Sequence, residues 1–152
     1  MMKVFIDTNV ILEYFMHREE FELAKRLMLE LRQQHCELVM SAGSFYTMIF
    51  LFDKQIRKEQ ELRGEERLSA LRSVMLLILR TFTVAGQDNT ILTEGIKDNM
   101  FRDLEDACQY QLAWKAGCHY LLTFNIDDYP ANDSDLSVKV LSPKQYLMLQ
   151  KH

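Results

Sequence analysis

What the chain lacks narrows its function first. Nowhere in its 152 residues does an apolar run approach the roughly 20 residues that cross a bilayer, so no membrane role is expected. The opening residues read as a strand with no signal-peptide pattern, which leads us to expect a cytoplasmic protein. Cysteine is scarce: Cys36, Cys108 and Cys118 are scattered, odd in number and without a C-x-x-C pair. That argues against a zinc site or a disulfide framework and for small, reduced, buried residues. Excess positive charge is also missing. With 18 Lys and Arg against 22 Asp and Glu the net charge is −4, which excludes a broad basic surface that coats nucleic acid. Phosphate contacts must then be local, and Lys54, Arg57, Lys58, Arg63, Arg67 and Arg72 form a partial cluster. There is no Gly-rich phosphate loop, and no Asp-x-Asp follows the first apolar run, where the residues are Asp7-Thr8-Asn9. This disfavours a small-phosphate hydrolase on a Rossmann-like sheet. No repeat, linker or low-complexity segment divides the chain, so residues 1–152 read as one domain.

What is present is an alternation of short apolar strands and amphipathic helices. Met1–Ile6 is apolar without a period of two, as in a strand buried on both faces. Thr8 and Asn9 can cap the helix that follows over Val10–Phe15. Phe21, Leu23, Ala24, Leu27, Met28 and Leu31 recur at helical spacing within Glu19–Gln34. Glu37–Met40 is a second strand, and Ser41 caps a helix from Phe45 to about Lys58. Gly64-Glu65-Glu66 is expected to break that helix before Arg67–Leu79, giving a helical hairpin at about 45–79 that projects from the sheet. Further strands are expected at Phe82–Ala85, Tyr120–Thr123 and Val138–Leu141. Asp88 or Asn89 caps a short helix to Lys97, Leu104–Ala116 is a long helix stopped by Gly117, and Ser142-Pro143 opens the last helix. Loops are expected over Asn125–Tyr129 and Pro130–Asp135. The pattern indicates an α/β fold with a mainly parallel sheet. His17, His35, His119 and His152 are dispersed and read as structural or surface residues, and Trp114 as core packing.

Three acidic groups fall where a parallel sheet places its chemistry, at the carboxyl ends of strands. The first is Asp7. The second is Asp103-Leu104-Glu105-Asp106 at a helix start, with Asp103 and Asp106 on one helical face. The third is Asn125 with Asp127 and Asp128. Each has a plainer explanation: Asp7 as a cap or turn residue, the second group as partners of the helix dipole, the third as turn chemistry. Taken together, converging carboxylates repel one another unless a hard divalent cation joins them. Mg²⁺ or Mn²⁺ prefers oxygen ligands, activates water and offsets charge on a phosphate, which points to hydrolysis of a phosphodiester.

The sequence resembles the PIN-domain family of VapC-like toxin ribonucleases. The resemblance rests on V-F-I-D-T-N-V-I-L at Val4–Leu12, S-A-G-S-F at Ser41–Phe45 and F-R-D-L-E-D-A-C-Q-Y at Phe101–Tyr110, followed by A-G-C-H-Y-L-L-T-F-N-I-D-D-Y at Ala116–Tyr129 and L-S-P-K-Q-Y-L at Leu141–Leu147. It implies a three-layer α/β/α sandwich around a central, mainly parallel five-stranded sheet. It also implies an RNA-cutting activity with Mg²⁺ or Mn²⁺, often as the toxin of a toxin–antitoxin pair, and commonly a homodimer. Carried over by motif, Asp7 and Asp106 are the catalytic ligands, with Asp103 and Asp128 as further metal ligands. Thr8 and Asn9 orient Asp7 or bind a water on the metal. The last acid of the pattern falls at Asn125, with Asp128 as a replacement. One departure stands out. Many members carry a Glu in the helix after the second strand, where this chain has Thr47, as in a subgroup that lacks this acid. The alternative is therefore a PIN-like domain that binds RNA or a protein partner without cutting.

Overall fold

The computed structural model describes residues 1–130 and 137–150. Beyond Pro130, the loop expected over Pro130–Asp135 lies outside the described residues, and so does His152. The strands are β1 (Lys3–Ile6), β2 (Glu37–Ser41), β3 (Thr83–Ala85), β4 (Tyr120–Leu122) and β5 (Lys139–Leu141). The helices are α1 (Thr8–Phe15), α2 (Phe21–Gln33), α3 (Ala42–Glu59), α4 (Gly64–Thr81), α5 (Asn89–Lys97), α6 (Leu104–Lys115) and α7 (Pro143–Leu149). All four strand pairings are parallel, in the order β3-β2-β1-β4-β5. β1 is central and buried from Val4 to Ile6, which is why that stretch reads as a continuous apolar run. The strand order reverses between β1 and β4, and the crevice beyond their carboxyl ends is the position where such sheets hold ligands.

Side chains alternate across the sheet and divide the core in two. Val4, Ile6, Met40 and Leu122 face one side, where they pack with Val10, Ile11, Leu27, Leu31, Met48, Phe52, Ile78 and Tyr146 from α1, α2, α3, α4 and α7. Phe5, Val39, Leu121 and Val140 face the other side, against Ile91 of α5 and Tyr110, Leu112 and Ala113 of α6. The result is three layers with the sheet in the middle. Each fully buried Ile, Leu or Phe contributes roughly 1.5–3 kcal/mol, so the sandwich is held mainly by this burial.

The same alternation positions the site. Phe5 and Leu121 face α6, and Phe5 is paired with Leu121 in the ladder. Two residues further along each strand come Asp7 and Thr123, which therefore turn to the α6 side as well.

Caps define most helix starts. Ser41, Asp88, Asp103 and Ser142 each accept a hydrogen bond from a backbone N–H in the first turn. Ser142 and Gln145 form a full capping box with Pro143 between them. Gly117 follows α6 with φ +76, the left-handed conformation that ends helices.

Several expectations change. Asp7, not Thr8 or Asn9, occupies the N-cap position of α1, and its side chain makes no capping bond. Gly64-Glu65-Glu66 opens α4 instead of interrupting it, because the acidic pair suits a helix N-terminus. The α3–α4 hairpin does not project from the sheet, since its inner face of Met48, Phe52, Ile56, Leu71, Met75 and Ile78 enters the core. Trp114 is 49% exposed with the Lys115 ammonium over its ring, so it is not core packing. The loop after β4 contains a 3₁₀ turn over Ile126–Asp128. Cys108 and Cys118 are buried, Cys36 is half-buried, and all three are free.

One contact fixes how α6 lies on α5. A Cβ on Gly95 would come within 2.8 Å of both the Cα and the Sγ of Cys108. The backbone of α6 leaves no room for it, and α6 carries Asp106. Gly95→Ala is expected to lower stability by about 1–3 kcal/mol, overpacking outweighing the gain in helix propensity. Gly86→Ala, where a Cβ meets nothing within 4 Å, is the matched control and stays within about 0.5 kcal/mol. Urea denaturation midpoints of the two variants check this.

Candidate metal centre at the carboxyl edge of the sheet

Asp7 ends β1 in extended backbone, and its N–H donates to Leu122 O at 3.0 Å, which locks it beside the end of β4. The side chain is 4% exposed. Its Oδ2 accepts from Thr123 Oγ1 at 2.8 Å, from Asn9 Nδ2 at 3.3 Å and from Tyr129 OH at 3.4 Å. The carboxylate also takes hydrogen bonds from the Thr8 backbone N–H and from Gln109. Burial pushes the Asp7 carboxyl above its ordinary range, and the hydrogen bonds from Thr123, Thr8, Gln109 and Tyr129 oppose that rise.

Asn9 supports this arrangement from two sides. Its Nδ2 reaches Asp7 and Thr123, the latter at 3.1 Å, while its Oδ1 accepts the Phe124 N–H at 3.0 Å. Thr123 Oγ1 in turn accepts the Asn125 N–H at 3.0 Å. The turn after β4 is thus tied to the start of α1. The Thr8 hydroxyl goes elsewhere, to Ser44 Oγ, which lies 2.8 Å from Ser41 Oγ. Thr8 joins the starts of α1 and α3.

Asp106 is brought to the same place by α6 and is 7% exposed. Tyr129 OH, also buried, lies 3.4 Å from both Asp7 Oδ2 and Asp106 Oδ1 and bridges the two carboxyls. The Asp106 carboxyl is pushed up to about 7, first by burial and then by the negative charges of Asp7, Asp103, Asp128 and Glu105. Burial and the Asp7 and Asp106 carboxylates push the Tyr129 hydroxyl up, so it stays a neutral donor. Glu105 is raised as well, by its partial burial and by Asp7 and Asp103.

The remaining residues expected at the site lie around this pair. Asp103 is exposed and spends Oδ1 on the Asp106 N–H at 3.0 Å as the cap of α6. Asn125, Asp127 and Asp128 are exposed on the 3₁₀ turn, and Asp128 is close enough for its charge to act on Asp106. Thr47 is exposed and its hydroxyl donates to Gly43 O of its own helix at 3.3 Å, so nothing on α3 replaces the absent acid. Among the described residues, no three His, Cys, Asp or Glu side chains are placed to hold an ion by themselves.

Three contributors were not singled out in the sequence: Thr123, Tyr129 and Gln109. Gln109 is 3% exposed, and its Oε1 has no hydrogen-bond partner among the described residues. An unmet buried oxygen costs about 1–3 kcal/mol, so it marks a position that lacks something. The usable signal was spacing: Gln109 lies three residues after Asp106, as Asp106 lies three after Asp103.

The fold and site together define an α/β/α sandwich with an acidic centre at its switch point. A family model described as the PIN domain matches residues 3–127, and the chain belongs to the PIN-domain family. It is 32% identical over 124 residues to ribonuclease VapC1 of Aquifex aeolicus strain VF5, covering 80% of each protein. Three solved structures share the fold at lower identity. FitAB bound to an IR36 DNA fragment matches with TM-score 0.65 and 15% identity, over 92% of this chain and 94% of that one. VapBC2 of Rickettsia felis bound to a promoter DNA fragment matches with TM-score 0.58 and 14% identity, over 93% and 98%. VapBC-1 of nontypeable Haemophilus influenzae gives 0.59 and 15%, over 94% and 99%.

PIN ribonucleases generally use divalent metal ions. The donors of this chain fit one: two buried carboxyls, Asp7 and Asp106, and the orphaned Gln109 Oε1. All are oxygens, and Mg²⁺ typically takes one or two carboxylates and keeps several waters.

The raised Asp106 carboxyl has a sign that can be tested. In the metal-free fold its neutral form is favoured, so its contribution to stability is full below the ordinary carboxyl value of 3.8 and is lost as pH rises through about 7. Asp106→Asn removes that loss. In EDTA, wild-type Tm should fall between pH 5 and pH 8 more than the variant's does. At pH 8 the variant should melt higher by at least about 2–4 °C, the shift that 1 kcal/mol produces in a chain of this length. Parallel melting curves across that range would overturn the assignment.

Proposed function

We propose that the chain is a divalent-metal-dependent ribonuclease that hydrolyses RNA phosphodiesters, as the toxin of a toxin–antitoxin pair. The observation that carries this reading is the Asp7–Asp106 pair, buried and bridged by Tyr129 at the switch point of the sheet. Asp7 and Asp106 would hold Mg²⁺ or Mn²⁺, and Asp103 and Asp128 would add negative charge at the rim. The ion supplies Lewis acidity toward the phosphate and lowers the pKa of water. The chain's own part is placement. Asn9 and Thr123 hold Asp7 in one rotamer, and Tyr129 keeps the two carboxyls at a fixed separation. The similarity to a protein named ribonuclease VapC1 supports the reaction, and the VapBC and FitAB assemblies among the fold neighbours support an antitoxin partner.

The cationic cluster favours local phosphate contacts. Arg57 and Arg67 are both committed to Asp53, at 3.4 and 2.5 Å. Arg18, Lys54 and Lys58 have no carboxylate partner among the described residues, and they line an open cavity of about 830 Å³ with His17 and Gln55. They offer positive charge to an RNA backbone, beside Glu59 on the same cavity wall.

A specific observation favours a second reading, a domain that binds RNA without cutting it: no acid stands at Thr47. One assay separates the two. With an RNA panel in Mn²⁺, wild type should cleave, Asp7→Asn should lose at least about a hundredfold in rate, and Lys54→Ala/Lys58→Ala should raise KM severalfold with a shallower salt dependence. Cleavage that persists in Asp7→Asn sinks the assigned site, and RNA bound but intact in wild type selects the second reading.

We also propose a homodimer through α3, where Tyr46 and Phe50 are 72% and 68% exposed one turn apart. Sedimentation should give twice the chain mass for wild type and the monomer for Phe50→Glu. A monomeric wild type at micromolar concentration rules the dimer out.

A further inference from the structure

The position of Gln109 is not accounted for by packing. It is 3% exposed on α6, one turn beyond Asp106 and on the same face. Its amide nitrogen lies 3.5 Å from Glu105 Oε1, and the side chain hydrogen-bonds to the Asp7 carboxylate. Its Oε1 is buried without a partner among the described residues. An amide with its NH₂ end on two carboxylates and its oxygen unmet is satisfied only by half.

We propose that Gln109 supplies the neutral oxygen that completes the divalent-cation site, in place of the carboxylate missing at Thr47. This rests on the metal-dependent reading above. Charge supports it. Asp7 and Asp106, both ionised, balance a dication, and a third buried carboxylate would leave net negative charge in a site that burial already penalises. An amide oxygen adds a hard ligand without adding charge. In the loaded state the NH₂ end stays on Glu105 Oε1 while the unmet oxygen takes the cation, so no buried polar group is left unsatisfied. The side chain thus has a role in both states: a donor that steadies Asp7 in the metal-free protein, and a ligand in the loaded one.

The test reads metal binding directly. Calorimetric titration of the whole chain with Mn²⁺ should show Gln109→Leu binding about tenfold more weakly or worse than wild type. Mn²⁺ electron paramagnetic resonance in ¹⁷O-enriched water should count one more coordinated water in Gln109→Leu, filling the vacated position. A role limited to packing or to holding Asp7 would leave the water count unchanged, and that result overturns the proposal. If Gln109→Leu does not fold, Gln109→Glu keeps shape and oxygen. It should bind Mn²⁺ more tightly with the wild-type water count, and a higher count overturns the proposal. Failure of wild type to bind millimolar Mn²⁺ removes the metal reading and this inference together, whereas equal binding and equal water counts in wild type and Gln109→Leu remove this inference alone.

Discussion

A single carboxylate oxygen, Asp7 Oδ2, constrains the architecture more than any other atom. It accepts from the side chains of Thr123, Asn9 and Tyr129, which come from the end of β4, the first turn of α1 and the far side of the 3₁₀ turn. Each donor reaches it only if β1 and β4 keep their register, if α1 starts where it does, and if the chain after β4 folds back over the sheet edge. A carboxylate this deeply buried would be ruinous without such donors, and with them each bond to the charged group is worth about 1.5–3 kcal/mol. The network therefore makes the buried charge tolerable and, in return, specifies the geometry around it.

Asp106 shows what the same residue type does with less of that support. Asp7 takes hydrogen bonds from Thr123, Thr8, Gln109 and Tyr129, whereas Asp106 has the Tyr129 hydroxyl at 3.4 Å and faces the negative charges of Asp7, Asp103, Asp128 and Glu105. The two carboxyls respond differently to one cleft. Asp7 is clamped as an acceptor, and Asp106, pushed up to about 7, holds its proton far more readily than an ordinary carboxyl does. Tyr129 reconciles them, because its hydroxyl is held neutral and can face both.

Much of this was legible in the residues. The apolar run at Val4–Ile6 signalled a central strand because that strand is covered on both sides. Ser41, Asp88 and Ser142 announced their helices by capping chemistry, which is local and so survives reading in one dimension. Asp7 could be placed at a strand end because a parallel sheet sends all its carboxyl ends to one edge, and Asp106 at the start of a helix by the acids around it. What sequence could not convey was contact across the fold. Trp114 looked like core by its hydrophobicity, but the face of α6 on which it lies has no layer above it. The hairpin at about 45–79 looked like an arm because its charges are conspicuous, while its buried stripe of Met48, Phe52 and Ile56 became visible only against the sheet. Gln109 and Tyr129 are unremarkable in isolation. Their importance arises from partners that lie 102 and 122 residues away at Asp7, as the numbering shows.

The Tyr129 bridge separates two events that acidic sites often merge. Where clustered carboxylates can be assembled only around an ion, folding waits for metal, and a metal-starved chain is a substrate for proteases. Here a neutral phenol already spans Asp7 and Asp106, so the centre takes shape from the chain alone. Folding can then be complete before any ion arrives. An ion that arrives later adds its binding energy to a fold that already exists, instead of creating it.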